Sequence, residues 1–284
     1  MVNSPSPTIG IFDSGVGGLS VWREIIRQLP HAGTLYLADQ AHVPYGPRSA
    51  EEILGFTRSI TDFLLAQGAR IIVVACNTAS GVALRPLRAA YPDVPFVGME
   101  PAVKPAAEQT HNGRVGVIAT PTTFQGALFK QLADRFGRDV EIHTQICPGL
   151  VAAVEAGDLD TSETRLLLET CLAPLLATGI DQLVLGCTHY PFLRPAIRQL
   201  VGPNVAIIDP APAVARQTGR LLVRHNAHAL PSPPRGETQR GESPHTFFTS
   251  GAVAQLRTIA HTLVGYEGEI TACTWHGGQL HQAD

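Results

Sequence analysis

Short apolar runs alternate with segments of helical periodicity along nearly the whole chain. Runs at 8–12, 34–37, 71–74 and 96–97 predict strands, and the stretches 17–28, 50–67 and 81–90 predict the helices between them. Further strands are expected at 115–118, 141–145, 183–185 and 205–208, followed by a helix over 212–225 and a strand over 245–249. Strands that alternate with helices in this way predict an α/β fold whose parallel sheets are covered on both faces.

The pattern also repeats. IGIFDS (9–14) matches VGVIAT (115–120) at a displacement of 106. IIVVACNT (71–78) matches QLVLGCTH (182–189) at 111, which brings Cys76 onto Cys187. VPFVGMEPAV (94–103) matches VAIIDPAPAV at the same 111, with Val103 on Val214. Three matches in one order at nearly one offset indicate two related α/β halves. The expected division is 1–98 plus 209–284 for the first domain and 99–208 for the second. The stretch 231–243, rich in Pro, Gly and charge, is expected to be a surface loop.

Composition narrows the class. Of the 284 residues 44% are apolar and 16% charged, the latter below the roughly 25% usual for soluble domains. A compact globular protein is therefore expected. The net charge is −3, and only Lys104 and Lys130 are lysines. The arginines are scattered, with no basic run to track a phosphate backbone, so no nucleic-acid partner is expected. No apolar stretch approaches the roughly 20 residues of a membrane span, and the first residues lack the pattern of a signal peptide. A cytoplasmic location is expected. The five cysteines (76, 147, 171, 187 and 273) are widely spaced without a C-x-x-C pair, so free thiols are expected throughout.

In open parallel sheets ligands bind beyond the carboxyl ends of the strands. Asp13-Ser14-Gly15, Cys76-Asn77-Thr78 and Cys187-Thr188-His189 each follow an apolar run, and Thr120-Pro121-Thr122-Thr123 is the repeat's counterpart of the first. The duplication directs all four clusters to one cleft. A lone cysteine after a strand is most often a small buried apolar residue, and that remains the expectation for Cys147, Cys171 and Cys273. Two cysteines at equivalent places of a repeat point instead to chemistry. A metal shared by Cys187, His189 and Cys76 is one alternative, although the close ligand pairs of structural zinc sites are missing. A thiol hydrolase using Cys187 and His189 is another, but it leaves Cys76 unused. Passive ligand capture between two lobes is a third.

Racemisation at a carbon acid makes use of both thiols. It needs a base on one face of the substrate and an acid on the other, and the two enantiomers nearly interchange those demands. A free thiol has a pKa of about 8.5, so the site must activate the thiolate and stabilise the developing carbanion. Asp13 is a candidate to assist Cys76 and His189 to assist Cys187. Taken alone, Asp13 and Ser14 could simply cap a helix, and Tyr45 could be a turn aromatic.

DSGVGG (13–18), PYG (44–46), ACNTAS (75–80) and GCTHYP (186–191) together resemble the glutamate racemases of the aspartate/glutamate racemase superfamily, in order over roughly residues 8–223. The resemblance implies two pseudo-twofold-related α/β domains in a parallel-sheet sandwich architecture, with the active site in the cleft between them. It implies Cys76 and Cys187 as the two acid/bases, one removing the proton while the other returns it on the opposite face. Substrate contacts would come from Asp13, Ser14, Tyr45, Gly46, Asn77, Thr78, Thr120, Thr123, Thr188 and His189, with Glu155 an acidic neighbour of His189. No cofactor and no metal are implied, and the product would be D-glutamate for peptidoglycan. A homodimer is expected. Sister racemases acting on aspartate or hydantoins are the nearest rivals.

Overall fold

The computed structural model describes residues 8–137, 140–225 and 245–283. The chain begins with β1 (Thr8–Asp13), α1 (Leu19–Gln28), β2 (Gly33–Ala38), α2 (Ala50–Ala66), β3 (Ile71–Val74), α3 (Asn77–Ala90) and β4 (Phe96–Gly98). It continues through α4 (Val103–Gln109), β5 (Arg114–Ala119), α5 (Pro121–Gln125), α6 (Ala127–Phe136), β6 (Glu141–Ile146), α7 (Leu150–Ala156) and α8 (Ser162–Ala177). Next come β7 (Gln182–Gly186), a 3-10 turn at Tyr190–Leu193, α9 (Arg194–Val201) and β8 (Ala206–Ile208). The last elements are α10 (Ala211–Arg224), β9 (His245–Thr249), α11 (Val253–Val264), β10 (Ile270–His276) and β11 (Gln279–Gln282).

Seven strands form one sheet in the order β11-β10-β9-β2-β1-β3-β4, and four form another in the order β6-β5-β7-β8. The order β2-β1-β3-β4 thus recurs as β6-β5-β7-β8. The register recurs as well. Ile9 pairs with Ile71 across β1 and β3, and the residues that the repeat equates with them, Val115 and Gln182, pair across β5 and β7. Ile72 pairs with Phe96, and their counterparts Leu183 and Ile207 pair in the second sheet. The sequence repeat is therefore a repeat of hydrogen-bonded register.

β1, β2 and β3 are buried along their whole length, which is why their sequences are continuous apolar runs rather than alternating ones. Ile9, Ile11, Ile71 and Val73 enter one core, while Phe12, Leu37, Ile72 and Val74 enter another on the opposite face. The first core also takes Ile118, Leu183 and Leu185 from the second sheet. One apolar body thus joins the two sheets and holds the strand ends of both in place.

Four expectations need correction. β10 and β11 are antiparallel, so the larger sheet is mixed at its edge. Gly277 and Gly278 make the turn between them with φ of 57° and 80°, the left-handed pair that a two-residue hairpin requires. Helix α3 begins at Asn77, four residues before the predicted start. Its N-cap is Cys76, whose Sγ accepts from the Ala79 amide at 3.4 Å, and sulfur is not among the common caps. The helices α4–α9 of the second half were not placed individually; in the longest, α8, Pro174 lies inside the helix and its leucines lie on more than one face, Leu168 buried and Leu166 63% exposed. Finally, Cys147 and Cys171 are a disulfide with a Cα–Cα separation of 5.3 Å, not free thiols. Packing of α8 under the end of β6 brings together positions 24 apart in the chain, which spacing alone does not reveal.

The expected strand at 245–249 is β9 and pairs in parallel with β2. The loop expected at 231–243 lies outside the described residues. Among the described residues no helix is long and apolar enough to cross a membrane.

Candidate active site

The cysteines sit at equivalent ends of equivalent strands. Cys76 follows β3 by one residue and starts α3; Cys187 follows β7 directly. Both are buried, and both line one small cavity of about 20 Å³ together with Ser14, Pro44, Tyr45, Gly46, Asn77, Thr78, Thr120, Val151, Thr188 and His189. Strand ends of both sheets therefore converge on a single cleft, as the duplicated clusters require.

Around Cys187 a chain of polar groups crosses between the halves. His189 Nδ1 lies 3.6 Å from Cys187 Sγ, and its Nε2 lies 2.6 Å from Glu155 Oε1 on α7. The same Glu155 oxygen accepts from the Val16 amide at 2.8 Å, in the turn after β1. Burial alone would lower the His189 pKa, but the Cys187 sulfur and the Glu155 carboxylate outweigh it and hold the imidazole well above its ordinary value. His189 therefore holds a proton more firmly than a free imidazole, with the Cys187 sulfur on one side and the Glu155 carboxylate on the other.

Cys76 stands in a different field. Burial first, and the neighbouring Asp13 carboxylate second, push its thiol well above the usual range, against the pull of the Ala79 amide at the start of α3. Burial likewise raises the Asp13 pKa, which the positive His189 only partly offsets. Asp13 Oδ2 accepts from the Gly18 amide at 2.6 Å and from Thr188 Oγ1 at 3.2 Å. The carboxylate thus ties the turn before α1 to the second half, while lying beside Cys76.

The glycines of DSGVGG are explained by this crossing. A Cβ at Gly15 would collide with the Glu155 carboxylate, and one at Gly17 with His189 and Thr188. Tyr36 secures the turn by donating to the Gly15 carbonyl at 2.7 Å. Ser20 Oγ, 2.9 Å from the Thr188 carbonyl, adds one more bond across the halves.

On the opposite side Thr78 Oγ1 is 3.1 Å from Thr120 Oγ1, which is 2.9 Å from Thr123 Oγ1. Thr123 lines an adjoining cavity that also reaches Asn77 and Thr78. Both polar atoms of the Asn77 side chain are buried without a partner. Unmet donors and acceptors at a cavity wall are costly unless a ligand meets them. Tyr45 lines the cavity with its ring, but its hydroxyl donates to Asp39 at 2.6 Å and is unavailable to a substrate. Thr122 Oγ1 donates to the Gly46 carbonyl, so the 44–46 wall is held from the second half.

All ten residues expected to bind substrate lie at the cleft or in hydrogen-bonded contact with its lining. Sequence reasoning missed Val151 and Asp39, and it took Pro44 only as part of the PYG motif. Val151 carries no sequence signal, since an aliphatic residue in a helix reads as core. Asp39, one residue beyond the apolar run at 34–37 and directly after β2, stood where the strand-end rule would have found it.

The residues 9–218 match the Asp/Glu/Hydantoin racemase family model. The chain is 52% identical over 260 residues to a glutamate racemase of Pseudomonas aeruginosa, covering 92% of this chain and 95% of that protein. Its fold matches an Escherichia coli glutamate racemase solved with L-glutamate and the activator UDP-MurNAc-Ala, at a TM-score of 0.83 and 32% identity over 96% of this chain and all of the other. It also matches a Francisella tularensis glutamate racemase solved with D-glutamate, at a TM-score of 0.77 and 26% identity, covering 94% of this chain and 97% of that one. With two cysteines at matching strand ends and a family match across most of the chain, this protein belongs to the Asp/Glu/Hydantoin racemase family.

Proposed function

We propose that this protein interconverts L- and D-glutamate by two-base proton transfer between Cys76 and Cys187. The observation that carries the proposal is the placement of two buried thiols, from register-equivalent positions of the two sheets, on one cavity. One sulfur, as thiolate, removes the α-proton. The other, as thiol, returns a proton to the opposite face, and the protonation states of the pair are exchanged at the end. Cys76, whose thiol burial and Asp13 push up, serves as the proton donor in one direction, and Cys187, 3.6 Å from His189 Nδ1, takes the part of the base. For the reverse direction the Ala79 amide at the start of α3 supports negative charge on Cys76.

Asp13 and His189 assist the two sulfurs. Asn77, with both amide atoms unmet, and the hydroxyls of Ser14, Thr78, Thr120 and Thr188 hold the amino-acid group. Thr123 supports Thr120, and the Tyr45 ring and Gly46 close the side-chain end. The relatives named above act on glutamate, and two of them were solved with its opposite enantiomers, which supports glutamate over aspartate or a hydantoin. The reaction needs no cofactor, because both proton carriers belong to the chain. The product serves peptidoglycan synthesis in the cytoplasm, with the enzyme working as a homodimer. We assign residues 1–98 plus 209–284 to one domain and 99–208 to the other.

The test is incubation with L- and with D-glutamate in deuterated water without added cofactor, before and after thiol alkylation. Loss of optical activity from both enantiomers with α-deuterium uptake, abolished by alkylation, is the expected result. Turnover of aspartate with inert glutamate would reassign the substrate.

A further inference from the structure

Asp39 follows β2 and is fully buried, yet the proposed chemistry does not use it. Its Oδ2 accepts from the Tyr45 hydroxyl at 2.6 Å and lies 2.9 Å from His42 Nδ1. Its Oδ1 accepts from Ser250 Oγ at 2.7 Å and from Trp275 Nε1 at 2.9 Å. A carboxylate can only accept, so His42 Nδ1 carries its proton toward Asp39. The Asp39 amide donates to the Asp13 carbonyl at 3.0 Å, which roots this cluster one strand away from the cysteines.

Burying a charge is costly, and a well-packed apolar replacement is often at least as stable. Stability alone therefore does not account for a carboxylate with four side-chain donors. The donors come from two places: the loop that leads into the cleft wall, and the ends of β9 and β10. His42 is also stacked on Phe56 at 3.9 Å and meets Trp275 edge-on at 4.9 Å, so the cluster is closed by rings as well as by hydrogen bonds. Tyr45 is the one donor that also lines the substrate cavity. Its hydroxyl is directed away from the cavity, and the next residue, Gly46, continues the wall.

We propose that Asp39 is a positioning residue for glutamate: through the Tyr45 hydroxyl it holds the 44–46 wall of the cleft in place and ties that wall to the C-terminal strands. The inference rests on the glutamate site proposed above. It makes substrate binding depend on residues more than 200 positions downstream, Ser250 and Trp275, which are not among the cavity-lining residues.

The experiment is a double-mutant cycle of Asp39→Asn and Tyr45→Phe, with kcat and KM measured in both directions on folded protein. Each single variant is expected to raise KM for glutamate about tenfold, the scale of one charge-assisted hydrogen bond, with kcat within about threefold. The double variant should be no worse than the weaker-binding single, because the two residues act through one contact. An unchanged KM in Asp39→Asn, or effects that multiply in the double variant, overturns the inference while leaving the glutamate activity standing. Should Asp39→Asn fail to fold, Trp275→Phe and Ser250→Ala each remove one donor. A KM rise of about threefold in either, with kcat kept, supports the coupling, and unchanged KM in both overturns it. A wild-type protein without glutamate turnover overturns the function itself and this inference with it.

Discussion

Each sulfur in the cleft is tuned by a different neighbour, and the two can be probed separately. Replacing Cys76 or Cys187 by serine removes one proton carrier. Overall racemisation should fall by about 10²–10⁴-fold in either variant, the usual range for a lost acid or base; polarimetry from each enantiomer measures it, and near-normal rates in both variants would end the two-base scheme. His189 allows a pH prediction. Its pKa in the folded protein is raised well above the ordinary value of 6.5, with burial opposing and Cys187 and Glu155 prevailing. A group raised on folding contributes stability that is complete below its unfolded pKa and is lost as pH climbs through its folded pKa. Thermal stability should therefore decline on the alkaline side as His189 deprotonates. In Glu155→Gln that decline should begin at lower pH, because one of the groups holding the proton has lost its charge. Coincident Tm–pH curves for wild type and Glu155→Gln would contradict this.

At the scale of elements, turns and caps decide where the chemistry sits. The turn after β1 has no room for side chains at Gly15 and Gly17, because the second half packs Glu155, Thr188 and His189 against it. Gly17→Ala should displace His189. A misplacement of about 1 Å near reacting groups can cost about 10²-fold, so kcat/KM should drop on that scale in protein that still unfolds cooperatively. Helix α2 starts with a reciprocal cap, Ser49 accepting from the Glu52 amide while Glu52 accepts from the Ser49 amide. Ser49→Ala should cost about 1 kcal/mol in denaturant unfolding without changing the kinetics. The cap of α3 serves both fold and site, since Cys76 is at once its first-turn acceptor and a proposed acid/base.

On the scale of the whole molecule, the two sheets are joined by a shared apolar core and by side chains that cross between them. Ile9 and Val73 of the larger sheet share that core with Ile118 and Leu185 of the smaller one. Glu155, Ser20 and Thr188 add polar bonds from one half to the other. Units connected in this way should unfold together. Tryptophan emission, which reports only Trp22 and Trp275 and hence the larger sheet's half, should follow the same denaturant transition as far-UV circular dichroism. Two separated transitions would show that the halves are energetically independent.

The repeat, the strand positions and the paired cysteines were legible in the amino-acid sequence because each depends on local order. Buried parallel strands require continuous apolar runs, and a duplicated fold keeps equivalent residues at one offset, so Cys76 and Cys187 could be matched before any contact was known. Other features depended on packing between distant segments. The Cys147–Cys171 bond arises only where α8 lies under β6. The donors Ser250 and Trp275 reach Asp39 only once β9 and β10 extend the sheet beside β2. The partners of the two thiols, Asp13 and His189, were readable from the sequence, but the burial that pushes the Cys76 thiol up is tertiary. Local sequence thus determined which elements form and which side chains stand at their ends. Tertiary structure decided what those side chains face, because burial and electrostatic fields depend on neighbours that lie far away along the chain.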